Sequence, residues 1–374
     1  MKRKLWLLIL CVSAISAALV FHSCARRGPT SALQIGAVIP LTGPSAQYGK
    51  FQMQGMNLAQ QQISQVEKFD IKIDYQDSTS DPKTGVLAFR ALSNGGDLCV
   101  ITGVSGVVLA IAPAAQELQF PQINTSGQNS KIGESGPFTV SLINLADVET
   151  SSMAQYAYEV MGLRKVALIY SNAAAGTGAA DQFKTSFAKL GGNIVADESY
   201  DDNQTDYRGQ IERAFVAKPE AIFAPGVSVN ISRVMRQAFE LSHKTQWLSY
   251  SAFEGPEVEK VAGAAAAGTI FTSTGLDPNQ DSEFIRQYKQ SYGSDPELYA
   301  ATAYDAVRVL YQAYKSGIRT RKELADFLTS GQFSYSGVTG TFRIEKNGTV
   351  KKPVVFKVFQ EGKFQLAPKQ LPSS

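Results

Sequence analysis

Short apolar runs rich in β-branched residues alternate with longer segments in which apolar residues recur every three or four positions. The segment 53–66 shows the second pattern, because its apolar residues include Met53, Met56, Ala59, Ile63 and Val66. This spacing places them on one face of a helix. Similar spacing predicts helices at 84–92, 151–161, 181–190, 210–217, 232–241, 282–292 and 300–316. The short runs predict strands at 34–40, 71–75, 99–104, 121–124, 166–170, 221–224, 246–250 and 269–272.

This alternation predicts the fold class. Strands that alternate with helices form βαβ units, whose parallel sheets are covered by helices on both faces. The units show no eightfold regularity and are spaced differently in the two halves of the chain. The sequence therefore predicts an α/β protein with two doubly wound parallel sheets instead of one closed barrel. Near the C-terminus, 340–344 and 353–364 are predicted to be antiparallel strands, with turns at 346–348 and 361–362.

The N-terminus has the pattern of an export signal. Lys2, Arg3 and Lys4 precede an uncharged apolar run at 5–21, which is the order found in signal peptides. We therefore expect residues 1–23 to be a signal peptide and the rest of the protein to be extracytoplasmic, in the periplasm or at the cell surface. A retained anchor helix is the alternative, because the run is close to the shortest length that spans a bilayer.

Cys24 directly follows this signal. The sequence FHSC at 21–24 resembles a bacterial lipobox, so we expect Cys24 to be lipidated and residues 24–31 to tether the protein to a membrane. Ordinary cleavage after Ala25, which would leave a soluble protein, is the alternative. Cys11 lies inside the signal and Cys99 in a strand-like run. The sequence thus predicts no disulfide framework and a core thiol at Cys99.

Charge and histidine content argue against several functions. Without the three basic residues of the signal, basic and acidic residues are equal in number, which is atypical of a nucleic-acid-binding protein. The two histidines are His22, in the signal, and His243, and no nucleophile-elbow motif is present. We therefore predict no enzymatic activity, no cofactor and no metal site. The nearby acids Asp201, Asp202 and Asp206 lack EF-hand spacing and are interpreted as solvated loop charges.

A series of short motifs resembles the periplasmic Leu/Ile/Val-binding protein family. The first is IPLTGPSAQYG at 39–49. The later motifs are YQD at 75–77, DP at 81–82, GVSG at 103–106, TDY at 205–207, MRQA at 235–238 and YDA at 304–306. The resemblance covers roughly residues 33–364. It implies the type I periplasmic binding fold, in which a hinge of three crossovers joins two lobes. Lobe 1 would comprise 32–145 plus 275–352, and lobe 2 would comprise 146–274 plus 353–374.

The resemblance also implies a ligand site between the lobes. In lobe 1, Ser105 and Gly106 would hold a carboxylate, because a hydroxyl beside a helix N-terminus favours an anion. A simple helix cap is the alternative for Ser105. Ser126 and Gln128 match a second donor loop of the family, with Gln128 in place of the common Thr. Tyr48 matches an aromatic residue that encloses the ligand.

In lobe 2 the sequence departs from the family pattern. Ala175 and Val227 stand where the family often has aromatic residues. Ser251 replaces the acid that binds the ammonium group of an amino acid, unless Glu254 takes that place. A buried ammonium group without a counter-charge is costly, so the expected ligand is a carboxylate that lacks an α-ammonium group. The other contacts expected in this lobe are Tyr250 and Phe253.

The function that the resemblance implies is solute binding without catalysis. The protein would capture a small amino-acid-like or carboxylate ligand by hinge closure. It would then deliver the ligand to an ABC permease in the inner membrane, where the lipid anchor would hold it. The alternative is a sensory module, in which the same fold presents its closed form to a membrane receptor or sensor kinase.

Overall fold

The computed structural model describes residues 32–255, 257–274 and 282–371. The predicted signal peptide (1–23) and the whole of the predicted tether with Cys24 (24–31) lie outside the described residues. Within the described ranges, no helix is both long and apolar enough to cross a bilayer.

The first sheet is built from the N-terminal part of the chain. Its strands are β1 (Leu33–Ile39), β2 (Ile71–Asp77), β3 (Cys99–Thr102), β4 (Gln122–Asn124) and β5 (Thr139–Ser141). The strand order is β2-β1-β3-β4-β5, and every neighbouring pair is parallel. All carboxyl ends of its strands therefore lie at one edge of the sheet. The predicted core thiol at Cys99 is confirmed, because this residue is fully buried and unpaired in β3.

Helices cover both faces of this sheet. The helices are α1 (Ala46–Glu67), α2 (Pro82–Ser93), α3 (Ser105–Glu117), and, after the second part of the chain, α8 (Ser282–Tyr292), α9 (Leu298–Lys315) and α10 (Arg321–Leu328). Alternate residues of β1 point to opposite faces. Ile35 packs in the core shared with α1 and α9, whereas Val38 packs in the core shared with α2 and α3. A small hairpin of β11 (Ser334–Gly337) and β12 (Gly340–Arg343) completes this lobe.

The second sheet is mixed. Its strands are β6 (Lys165–Ser171), β7 (Asn193–Tyr200), β8 (Ala221–Phe223), β9 (Gln246–Ser249), β10 (Ile270–Thr274), β13 (Val354–Gln360) and β14 (Lys363–Leu366). The order is β14-β13-β10-β9-β8-β6-β7, in which β13 runs antiparallel to both β10 and β14. Its helices are α4 (Ala146–Gln155), α5 (Ala174–Lys189), α6 (Arg208–Val216) and α7 (Ser228–Glu240). We call this sheet with its helices the second lobe, and the five-stranded sheet with its helices the first lobe.

The chain passes between the two sheets three times. It does so between β5 and α4, between β10 and α8, and between β12 and β13. Residues 275–281 of the middle passage are outside the described residues. The outer two passages are tied together, because the Asn144 side chain donates to the Lys352 carbonyl (2.8 Å) and accepts from the Lys352 amide (2.7 Å).

One sequence prediction near the C-terminus is wrong. The strand predicted at 340–344 was expected to pair with 353–364 across the turn at 346–348. Instead β12 pairs with β11, and the turn closes only an isolated bridge between Ile344 and Val350. The strand β13 leaves this region and joins β10 in the second lobe. The turn predicted at 361–362 is correct and connects β13 to β14.

Candidate functional site

A cavity of about 260 Å³ lies between the two lobes. It is lined by loops and helix starts that follow the carboxyl ends of β1, β2, β3 and β4 in the first lobe and of β6, β7, β8 and β9 in the second, together with Tyr299 at the start of α9. Ligands bind at this end of open parallel sheets, because loops and free helix N-termini converge there. The cavity is thus the place in the described fold where a small ligand is expected.

The first-lobe wall presents two hydroxyl groups whose hydrogen atoms have no acceptor among the described residues. The Ser105 Oγ accepts hydrogen bonds from the amides of Gln128 (2.9 Å) and Asn129 (3.1 Å) and donates to no described residue. The Ser126 Oγ accepts from the Val104 amide (3.1 Å) and likewise donates to no described residue. Because neither hydroxyl donates to a described residue, each can give its proton to a ligand oxygen.

Helix α3 begins at this wall with a strained residue. Val104, which lines the cavity, has φ 65°, and a left-handed conformation is costly for a β-branched residue. Its side chain cannot cap the helix, so the first amides of α3, including that of Gly106, have no side-chain partner. Since Ser105 and Gly106 line the cavity, this helix start favours an anionic group there.

The second-lobe wall is formed partly by small residues. Ala173, Ala174, Ala175 and Gly176 form the start of α5 and line the cavity. Ala174 also contacts the first lobe, because its carbonyl accepts a hydrogen bond from the Asn129 side chain (2.5 Å). Small side chains at these positions leave room for a ligand where larger ones would fill the cavity.

Asp202 corrects one interpretation of the sequence. We expected Asp201, Asp202 and Asp206 to be solvated loop charges, but Asp202 is half-buried and lines the cavity. Its carboxylate accepts a hydrogen bond from the Ser171 Oγ (2.5 Å) and forms no ion pair among the described residues. Burial raises the pKa of Asp202, and the bond from Ser171 opposes this rise.

Aromatic residues close the cavity between the lobes. Tyr48 stacks at a tilt on Tyr299, with ring centroids 4.7 Å apart. The Tyr48 hydroxyl donates to the Ala252 carbonyl (3.2 Å) and accepts from the Ser228 amide (2.9 Å), both in the second lobe. Tyr48 therefore holds the lobes in a closed arrangement.

A second contact between the lobes centres on Glu149 in the first turn of α4. This fully buried carboxyl accepts from the Gln128 Nε2 (2.8 Å), the Ser251 amide (3.1 Å) and the Thr272 Oγ1 (3.1 Å). The Gln128 Nε2 also donates to the Ser251 Oγ (2.9 Å). Burial raises the pKa of Glu149 from its usual 4.5 to about 7, against the lowering effect of these hydrogen bonds. Both oxygens of Glu149 are thus already occupied by protein donors.

Most of the residues predicted for the site line this cavity. They are Tyr48, Ser105, Gly106, Ser126, Gln128, Ala175, Val227 and Tyr250. Ser251 does not line it and instead contacts Glu149 and Gln128. Phe253 packs in the aromatic core against Phe271 and Phe364.

The acids of the site were missed by sequence reasoning. Glu254, which we considered as a substitute acid, pairs with Lys357 (2.6 Å) and accepts from the Ser273 Oγ (2.8 Å). Two acids that were not predicted are Asp202, which lines the cavity, and Glu149, which lies at a contact between the lobes. Asp202 would have been recognised had β7 been predicted, since it lies two residues after the end of that strand. The sequence around Glu149 gives no comparable indication of its place in the site, because an acid in the first turn of a helix is common.

No cluster of three or more His, Cys, Asp or Glu side chains able to hold a metal occurs in the described part of the chain.

Replacing Tyr48 with Phe is expected to loosen the closed arrangement. The change removes both hydrogen bonds across the cleft, each worth about 1 kcal/mol. Hydrogen exchange at the Ser228 amide, measured by mass spectrometry on a peptide around residue 228, should become roughly ten-fold faster. Tyr158→Phe is the control, because the Tyr158 hydroxyl lies away from the cavity, near Gly191. Equal exchange rates at Ser228 in the two variants would show that Tyr48 does not hold the lobes.

Comparisons with known proteins agree with this architecture. A family described as periplasmic binding protein matches residues 32–363. The Leu/Ile/Val-binding protein homolog 1 of Brucella abortus (strain 2308) is 26% identical over 328 residues, covering 85% of this chain and 88% of the relative. The leucine binding protein LivK of Thermotoga maritima MSB8 superposes with a TM-score of 0.83 at 24% identity, covering 90% of this chain and 97% of that chain. A solute binding protein of an ABC transporter from Rhodopseudomonas palustris BisB5, in complex with 3,4-dihydroxy benzoic acid, has a TM-score of 0.80 at 20% identity, covering 89% and 95%. The chain therefore belongs to the periplasmic binding protein family and has its type I fold of two α/β lobes.

Proposed function

We propose that the protein is an extracytoplasmic solute-binding protein of an ABC importer and that its cavity takes a small ligand with a carboxylate group. The observation that carries this proposal is the closed cavity itself. Its first-lobe wall combines the free hydroxyl protons of Ser105 and Ser126 with the uncapped start of α3. Such a set of neutral donors binds an oxyanion and releases it without a strong ion pair.

Closure explains how a ligand can be both held and delivered. The bonds of Tyr48 and Gln128 across the cleft hold the lobes together over the cavity, and opening these bonds would widen the entrance for a ligand. Hinged lobes permit this opening, and the permease would receive the ligand from the separated lobes. Anchoring through Cys24 would keep the protein at the membrane that carries the permease. No step of this cycle needs a catalytic group.

The relatives support the same ligand chemistry. Curated relatives are named Leu/Ile/Val-binding protein homologs, and these amino acids carry a carboxylate. The family also supports the extracytoplasmic location that we infer from the N-terminal pattern.

Thermal unfolding of the full-length protein tests the proposed binding. A panel of small carboxylates, amino acids and aromatic acids should contain compounds that raise the unfolding midpoint, because a ligand that binds only the folded state stabilises it. Ser105→Ala should reduce that rise, whereas Ser294→Ala, at an exposed position, should leave it unchanged. A panel that leaves the wild-type midpoint unchanged would contradict carboxylate binding.

Uptake by cells tests the importer role separately. Cells that lack the gene should lose uptake of the stabilising compound and regain it when the gene is restored. Uptake that persists without the gene would contradict delivery to a permease.

A further inference from the structure

Asp202 is a carboxylate at the cavity wall without a cationic partner. The Ser171 hydroxyl donates to it (2.5 Å), and Asn230 is close by, donating to its main-chain carbonyl (2.9 Å). No Lys, Arg or His of the described residues pairs with it. A partly buried carboxylate of this kind is stabilised when a cation approaches, because the attraction offsets its lost hydration.

The hydroxyl groups of two tyrosines are also without partners near Asp202. Tyr250 lines the cavity, and its hydroxyl forms no hydrogen bond with any described residue. The buried Tyr200 hydroxyl has no hydrogen-bond partner and lies against Gly226, which lines the cavity. The Tyr250 oxygen can accept a hydrogen bond from an ammonium group, whereas the Tyr200 oxygen is buried behind Gly226 and is not part of the described lining. The second-lobe wall thus offers acceptors, one of them charged.

The first-lobe wall offers the opposite chemistry. It contributes no carboxylate to the described lining of the cavity and presents the free protons of Ser105 and Ser126. Glu149 belongs to the second lobe and is not part of the described lining of the cavity, and its oxygens accept from Gln128, Ser251 and Thr272. An anion is therefore favoured at one lobe and a cation at the other.

We infer that the ligand is a short zwitterion whose carboxylate faces Ser105 and Ser126 and whose ammonium group, separated from it by methylene groups, is bound by Asp202. This inference rests on the proposed function and specifies its ligand class. It replaces our expectation of a carboxylate without any ammonium group. It also explains why an acid is dispensable at Ser251, since the cationic end of the ligand would lie elsewhere in the cavity.

Calorimetric titration of the full-length protein with a series of linear amino acids tests the inference. The probes are glycine, 3-aminopropanoate, 4-aminobutyrate, 5-aminopentanoate and 6-aminohexanoate, each beside the unbranched carboxylate of equal length that lacks the amine. We expect at least one of the longer zwitterions to bind about ten-fold or more tightly than its amine-free partner, since a hydrogen-bonded charge pair contributes that much. Glycine, whose charges are adjacent, should bind more weakly than that zwitterion.

Variants at neighbouring acids assign the effect to one carboxylate. Asp202→Asn should weaken binding of the best zwitterion about ten-fold or more and leave binding of its amine-free partner unchanged. Asp201→Asn is the matched control, because Asp201 is exposed in the same loop and Asn keeps the acceptor for the amide of Asn203. This control should bind the zwitterion as the wild type does.

The outcomes separate the inference from the proposed function. Equal binding of zwitterions and amine-free acids, or equal loss in the variants Asp202→Asn and Asp201→Asn, would overturn the role of Asp202 while the proposed function stands. If the zwitterions fail to bind but another carboxylate of the thermal panel binds, the role of Asp202 is likewise overturned while the proposed function stands. Failure of every compound in both experiments would overturn the inference together with the proposed carboxylate binding.

Discussion

Replacing Asp305 with alanine is expected to lower the free energy of unfolding by about 3–5 kcal/mol, because it would leave a buried cation without its counter-charge. The Asp305 carboxylate, on α9, accepts from the amides of Val338 (3.0 Å) and Thr339 (3.0 Å) and from the Thr339 hydroxyl (2.5 Å). The buried Lys352 donates to the same hydroxyl (2.6 Å). Burial lowers the pKa of Lys352 to about 8, and the charge of Asp305 opposes this effect.

The position of this network makes it more than a local contact. The main chain of Lys352 is hydrogen-bonded to the Asn144 side chain. The buried charges therefore lie next to the contact that joins two of the three passages between the lobes, the one after β5 and the one after β12. Losing Asp305 would leave the donors at Val338 and Thr339 unsatisfied as well. We therefore expect the substitution to destabilise both the first lobe and the hinge.

Urea unfolding followed by circular dichroism measures this cost. Asp326→Ala is the control, because Asp326 forms an exposed ion pair with Lys322 on α10 and its loss should cost no more than about 1 kcal/mol. The double variant Asp305→Leu with Lys352→Met should recover part of the loss, since no charge is then left buried. A midpoint for Asp305→Ala equal to that of Asp326→Ala would show that the buried pair does not stabilise the fold.

The fold was largely predictable because its strongest patterns are local. Helix α1 was recognised from one apolar stripe, and the core strands β1 and β6 from continuous apolar runs. The strand β7 was missed because it lies at the edge of the second sheet and its sequence NIVADESY is mostly polar. The strand β5 has only three residues, which are too few to show an alternation of apolar and polar positions. The pairing of β12 was mispredicted because a turn does not determine which sheet the next strand joins.

The site was less predictable, because its charges depend on residues far apart in the sequence. Ser105 and Ser126, which line the cavity, were expected from the family resemblance, at loops that follow recognisable strands. Asp202 was missed together with β7, the strand that brings it to the cavity. Glu149 meets Ser251 only after the chain has crossed the second lobe, and nothing near either residue encodes that contact. The sequence shows that Ser251 is not an acid, but its contacts with Glu149 and Gln128 are visible only in the tertiary structure.

The stability of the protein is expected to fall between about pH 5 and pH 8 because of Glu149. Its pKa in the folded protein is about 7, above the usual 4.5, chiefly because burial disfavours the charged form. Between about pH 4.5 and pH 7 the folded protein retains a proton on Glu149 that the unfolded chain has lost, so the contribution of Glu149 to stability is fully present below about pH 4.5 and is lost as the pH rises through 7. The difference is on the order of 3 kcal/mol.

Glu149→Gln isolates this contribution, since glutamine cannot titrate. The new amide can be accommodated if the side-chain amide of Gln128 turns over, because the Tyr299 hydroxyl that now donates to the Gln128 Oε1 (3.2 Å) can also accept. Glu159→Gln, exposed on the π-helical turn that continues α4, is the control. Urea midpoints at several values between about pH 5 and pH 8 should decline less steeply for Glu149→Gln than for the wild type and the control. Parallel declines in all three proteins would assign the pH dependence to other acids, of which Asp202 is the first to test because burial raises its pKa as well.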